Sequence, residues 1–176
     1  MQDLKIYENS YLIIGGPNTK KSEVSLKLSK KLGYKLINLD RDKHSYFGDF
    51  TDFDSEKYYK LLDNDQEKAI NYIHKYEMLH LEYILNNINE NIIIDFGNTY
   101  TLINDINILN KLKLFKNVVL LIPSDDIVNN YSVIDKKLYK NKINYELATI
   151  VIEIKNRASD LIVKDILNYK KFKEIL

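Results

Sequence analysis

Eight consecutive residues, Gly15-Gly16-Pro17-Asn18-Thr19-Lys20-Lys21-Ser22, separate a short apolar run from an amphipathic stretch. They follow the spacing G-x-x-x-x-G-K-[ST] at its first glycine, its lysine and its hydroxyl; Lys20 stands where the second glycine belongs. Between a strand and a helix, successive backbone N–H groups and the helix N-terminus form a cradle for an anion such as phosphate. The Lys21 ammonium would then reach the β- and γ-phosphates of a nucleotide, and the Ser22 hydroxyl would hold Mg²⁺. Glycine before the lysine permits a backbone conformation that a Cβ obstructs, so Lys20 either adds positive charge to the cradle or narrows it. The plainer reading is a turn with exposed lysines, but strand, spacing, Lys-Ser pair and amphipathic helix all fall in register.

Other candidates lie at the ends of apolar runs. Asp95 closes Ile92–Ile94, at the edge where parallel sheets bind ligands, and could hold Mg²⁺ or orient a nucleophile. Asp40 follows a second run and could position or deprotonate an acceptor hydroxyl, with Asp42 two residues on. An acidic loop start balanced by Arg41 and Lys43 is the structural alternative. Arg157 follows the last run and, read by position alone, stands at a helix entrance. His74 and His80, six residues apart in one helical stretch, do not share a face as paired ligands would, and His44 stands apart. The aromatics Tyr46, Phe47, Phe50, Phe53, Tyr58 and Tyr59 alternate with Asp49, Asp52 and Asp54, which suits either a wall over an acceptor or rings packed inward.

The elements that must position these groups can be read from periodicity. Apolar runs centred near residues 13, 37, 93, 120 and 152 read as strands. Between them, Val24, Leu28 and Leu32 give a helix ended by Gly33; Ile70 to Ile88 gives a long helix from Gln66. Helices are also expected over 101–112, 125–140 and 160–175, the last ending in a Lys-rich turn that suits the helix dipole. Residues 42–65 read as a mobile substrate-side or lid insertion with one helical turn near Glu56–Leu62. This alternation predicts an α/β chain, a three-layer α/β/α fold on a five-stranded parallel sheet, with residues 1–176 as a single domain.

Composition excludes several classes of chemistry. The 176 residues contain no Cys, which removes disulfides, Fe–S clusters and thiol catalysis. With 26 basic against 25 acidic residues there is no electrostatic case for dedicated nucleic-acid binding. No apolar stretch approaches the roughly 18 residues of a membrane span, and MQDLKIYENS lacks the features of a signal peptide, so the expected location is cytoplasmic. All but two of the basic residues are Lys; the exceptions are Arg41 and Arg157.

The stretch YLIIGGPNTKKSEVSLKLSKKLGYKLINLDRD, residues 11–42, resembles the opening of the shikimate kinase-like branch of small P-loop kinases. IIIDFG at 92–97, NVVLLIPSDD at 117–126 and the terminal strand–loop–helix fit its later spacing. The resemblance implies a P-loop NTPase fold and an ATP- and Mg²⁺-dependent phosphotransferase acting on a small hydroxyl-containing molecule. Gly15 to Ser22 would bind the nucleotide, Arg157 would lie on its adenine side, Ser22 and Asp95 would hold the metal, and Lys21, Asp40 and Asp95 would carry catalysis. Asn38-Leu39-Asp40 matches the family's D-x-D, with Asn38 replacing its first acid; the glycine triplet after the third strand gives way to Asp95-Phe96-Gly97-Asn98. The family's lid arginines are absent; Lys136, Lys137, Lys140 and Lys142 occupy that region, without the planar fork of a guanidinium. A catalytically inactive P-loop binding or interaction module is the competing expectation, and a nucleic-acid kinase a third. The oligomeric state is left open.

Overall fold

The computed structural model describes the backbone of residues 7–173 and the side chains of residues 7–169. The side chains of the expected Lys-rich end of the last helix and most of the segment read for a signal peptide therefore lie outside the described residues. Five strands, β1 (Tyr7–Gly15), β2 (Lys35–Asn38), β3 (Ile92–Asp95), β4 (Phe115–Ile122) and β5 (Ile150–Glu153), form one parallel sheet in the order β2-β3-β1-β4-β5. The expected three-layer α/β/α fold is thus observed. Strand β1 is central, and every strand presents its carboxyl end to the same edge.

Alternation along β1 divides the core. Tyr11 and Ile13 face α1 (Lys21–Leu32) and the last helix, where Val24, Leu28, Ile162, Val163 and Ile166 are buried. Leu12 and Ile14 face the opposite layer, where Leu81, Leu85, Ile108 and Leu112 close the core. Burial on both faces explains why the strands read as continuous apolar runs rather than alternating ones.

Residues 42–65 depart from the expected mobile loop. They carry most of α2 (Leu39–Phe47) and all of α3 (Ser55–Asn64), and lead into the long α4 (Gln66–Asn87). Two of the acids in this stretch, Asp54 and Asp65, are helix caps, as is Asn38 ahead of it: Asn38, Asp54 and Asp65 accept the backbone N–H groups of Arg41, Lys57 and Lys68 at 2.8, 2.9 and 3.1 Å. Helices this short are marginal alone, so tertiary packing sustains them. Phe47 and Tyr76 are buried, and Phe53 packs against both with ring centroids 5.1 and 5.0 Å away. Burial of a ring of this kind contributes about 2–3 kcal/mol.

Two further expectations are refined. The 101–112 segment is a 3-10 turn at Thr99–Thr101 followed by α5 (Ile106–Leu112). The 125–140 segment divides into α6 (Asp125–Asn129) and α7 (Val133–Tyr139), where Ser132 and Asp135 form a reciprocal capping box; α8 (Lys142–Leu147) follows. Helix α9 (Ser159–Lys173) follows β5. Among the described residues no helix is long and apolar enough to cross a membrane.

His80 lies inside the α2–α4 lobe with 2% of its surface exposed, its Nδ1 2.7 Å from the Tyr100 hydroxyl. Burial pushes its pKa down to about 4 from the ordinary 6.5. The unfolded chain takes up this proton first as pH falls, so the neutral-His80 contribution is complete above 6.5 and is lost toward pH 4. The loss should total about 3 kcal/mol at most. Urea unfolding of wild type and His80→Gln between pH 7 and 4.5 tests this; the variant should show the shallower pH dependence, and parallel curves would refute it.

Candidate functional site

The loop joining β1 to α1 stands at the carboxyl edge of the central strand, where this sheet order places a ligand crevice. Its backbone turns through left-handed conformations at Asn18 (φ 56°) and Lys20 (φ 61°). Thr19 Oγ1 closes the turn by donating to the Gly16 carbonyl at 2.7 Å. Tyr131, between α6 and α7, donates its hydroxyl to the Pro17 carbonyl. A Cβ at Gly16 would fall 2.8 Å from that hydroxyl oxygen, so the close approach of Tyr131 requires glycine there.

Lys20 adopts the backbone conformation that glycine accepts at little cost, and its side chain leaves the cradle. Its Nζ donates to the Arg157 carbonyl at 2.9 Å, linking the phosphate-loop region to the β5–α9 connection. The residue in place of the second glycine is thus accommodated as a tether.

Lys21 begins α1 and turns its ammonium inward, donating to the Gly16 carbonyl at 3.0 Å and to Asn98 Oδ1 at 2.6 Å. Burial lowers its pKa, while Asp95 and then Asp40 pull it back upward. Asp95 is paired in register with Asn38 on the adjacent strand, and Asn38 Nδ2 donates to Asp95 Oδ2 at 2.6 Å. Burial raises the Asp95 pKa, opposed by a hydrogen bond from Ser22 and the charge of Lys21. Ser22 and Asp95 therefore present adjoining hard oxygen donors next to the lysine, a set that fits Mg²⁺ held directly or through water. The three histidines belong to no cluster of three or more potential metal ligands among the described residues.

Asp40 lies in the first turn of α2 rather than in a loop. It faces the β3 end so closely that a Cβ at Gly97 would fall 2.4 Å from Asp40 Oδ1. Behind it stands a group with little sequence signal. Lys43 Nζ lies 3.2 Å from Asp40 Oδ1 and 3.1 Å from Glu77 Oε1, its side chain 11% exposed. Thr99 Oγ1 donates to the same Glu77 oxygen at 2.6 Å. Burial raises the Glu77 pKa against the Lys43 charge and the Thr99 hydrogen bond. At Lys43 burial opposes the charge, yet Glu77 and Asp40 outweigh it and the pKa rises.

The structure places the Lys21–Ser22 end of the loop beside Asp95 and Asp40. Arg157 contributes its carbonyl to the Lys20 tether, while its guanidinium pairs with Asp165 on α9. Most of the aromatics of the 46–59 region pack against one another and α4; the half-buried Tyr58 also interacts electrostatically with Lys43, Glu77 and Asp40. Sequence reasoning missed Lys43, Glu77, Asn98, Thr99 and Tyr131. Glu77 alone carried a signal, as a charged residue on the apolar stripe of α4.

Lys20 gives a direct test of the loop. Replacing it removes the tether, and alanine additionally bears the left-handed strain that glycine avoids. Lys20→Gly should be more stable than Lys20→Ala by about 1 kcal/mol in chemical unfolding. Equal stabilities would refute the left-handed assignment at this position.

No family model and no curated protein matches the chain. Solved structures do. Shikimate kinase from Aquifex aeolicus vf5 superposes with a TM-score of 0.64 at 17% identity, over 94% of this chain and 98% of that one. Shikimate kinase from Bacteroides thetaiotaomicron gives 0.65 at 14% identity, over 94% and 98%. Dephospho-CoA kinase from Campylobacter jejuni gives 0.54 at 13% identity, over 94% and 97%. At these identities the likeness concerns the fold: the chain has the shikimate kinase-like P-loop kinase fold.

Proposed function

We propose that the protein is a nucleotide-binding phosphotransferase that uses ATP and Mg²⁺ on a small hydroxyl-containing molecule. The observation that carries this reading is the convergence of Lys21, Ser22, Asp95 and Asp40 beside the phosphate-loop backbone. Bound ATP with Mg²⁺ would supply the transferable phosphoryl group and neutralise its charge. Within the chain, loop N–H groups bind phosphate oxygens, Lys21 exchanges its bonds to Gly16 and Asn98 for them, and Ser22 and Asp95 hold the cation. Asp40 orients the acceptor hydroxyl and accepts its proton. Tyr131, between α6 and α7, covers the loop at Gly16 and Pro17 and limits water there.

The competing reading is a P-loop module that binds nucleotide without turnover. Arg41 pairs with Asp42 and Arg157 with Asp165, so neither guanidinium stabilises the transferring charge in this arrangement. ADP release measured with a panel of hydroxyl acceptors separates the two readings.

Nucleotide binding is tested by calorimetry with ATP and Mg²⁺ on wild type and Lys21→Ala. Loss of the ammonium should weaken ATP binding by at least tenfold, through the triphosphate, while the fold is retained. Unchanged affinity would remove Lys21 from the phosphate site.

A further inference from the structure

The wall beside Asp40 has an unusual charge balance. On this side Lys43 is shared between Asp40 and Glu77, while Asp95, at the adjoining strand end, is matched by the Lys21 ammonium, which also acts on Asp40. Glu77 is wholly buried, and its Oε2 has no hydrogen-bond partner among the described residues. An ionised group in such a place is costly unless its charge is matched, so Glu77 is poorly explained as a packing residue. Its evident effect is on Lys43, whose charge it offsets. Elsewhere around the site, Lys21 faces the phosphate loop and Arg41 is turned outward onto Asp42. On α7, Lys137 bridges to Glu67 at the start of α4.

We propose that the acceptor is a neutral or amine-bearing hydroxyl compound rather than a carboxylate, and that Glu77 sets this selectivity by neutralising Lys43. The inference rests on the phosphotransfer reading, since it concerns the acceptor that Asp40 would orient. Without Glu77, Lys43 would retain only Asp40 as its counterion and would offer a charge-assisted hydrogen bond to a carboxylate acceptor. With Glu77 in place, Lys43 is matched by two carboxylates and has no unpaired charge to offer such an acceptor. A hydroxyl or ammonium donor instead finds carboxylate acceptors at Asp40. Glu77 acts through Lys43 and is therefore a positioning residue.

The test uses charge series on fixed scaffolds: D-glucosamine, D-glucose and D-gluconate, together with serinol, glycerol and glycerate. Affinities are measured by ligand-observed NMR on the full chain, with and without Mg²⁺ and the ATP analogue AMP-PNP. Wild type should favour the amine or neutral member of a series over its carboxylate by at least tenfold. Glu77→Gln should reduce that ratio at least tenfold, and Lys43→Met should leave it at or above the wild-type value. A folding defect lowers affinities within a series together and leaves the ratio alone, so the ratio reports charge. Equal or tighter carboxylate binding by wild type would overturn the proposal and point to Lys136 or Lys140 as the counterion. So would a ratio unchanged in Glu77→Gln, or no binding of any amine or neutral probe. Failure of AMP-PNP to bind would refute the phosphotransfer reading instead, and the ratio measured without nucleotide would still decide the charge selectivity.

Discussion

Strands β2 and β3 end side by side at the carboxyl edge of the sheet, and their last side chains, Asn38 and Asp95, are forced into register. Two carboxylates so placed would each raise the other's pKa, and one would tend to stay protonated. The amide at Asn38 avoids this conflict and makes bonds that a carboxylate could not make together. Its nitrogen donates to Asp95, while its oxygen caps α2 by accepting the Arg41 N–H. One side chain thus fixes the orientation of Asp95 and starts the helix that carries Asp40 and Lys43. The hydrogen bond from Ser22 then connects Asp95 to the phosphate-loop side.

At this pair the amide stands on β2 and the acid on β3, so a single carboxylate is placed there. The phosphate loop shows comparable compensation: Lys20 occupies a left-handed position and uses its long side chain to reach the Arg157 carbonyl. Lysine at this position therefore costs strain that glycine would avoid, partly offset by a contact that glycine could not make. Contacts between α1 and the α9 entrance, Glu23 with Ser159 and Lys27 with Asp160, extend the same connection.

The α2–α4 lobe shows how neighbouring elements change the meaning of a sequence. Its Asp residues and scattered aromatics look like loop composition when taken one by one. Asp54 and Asp65 begin helices, and the rings of Phe47, Phe53 and Tyr76 form a small core of their own. The same lobe buries His80 and Glu77, two groups whose ordinary ionisation is disfavoured there by desolvation. A lobe built from short helices around buried polar groups couples its own integrity to their protonation.

The amino-acid sequence by itself determined the five strands and the phosphate-loop register, because both are local signals: apolar runs of strand length and a fixed spacing of Gly15, Lys21 and Ser22. It also marked Asp95 and Asp40, since polar residues that end buried strands must lie at the ligand edge of a parallel sheet. Tertiary structure alone decided that Lys43 lies between Asp40 and Glu77, that Asn98 meets Lys21 and that Tyr131 covers Pro17. The partners in the last three of these pairs are separated by 34, 77 and 114 residues. No local periodicity encodes such meetings; they follow from sheet order and from the direction in which each helix leaves its strand.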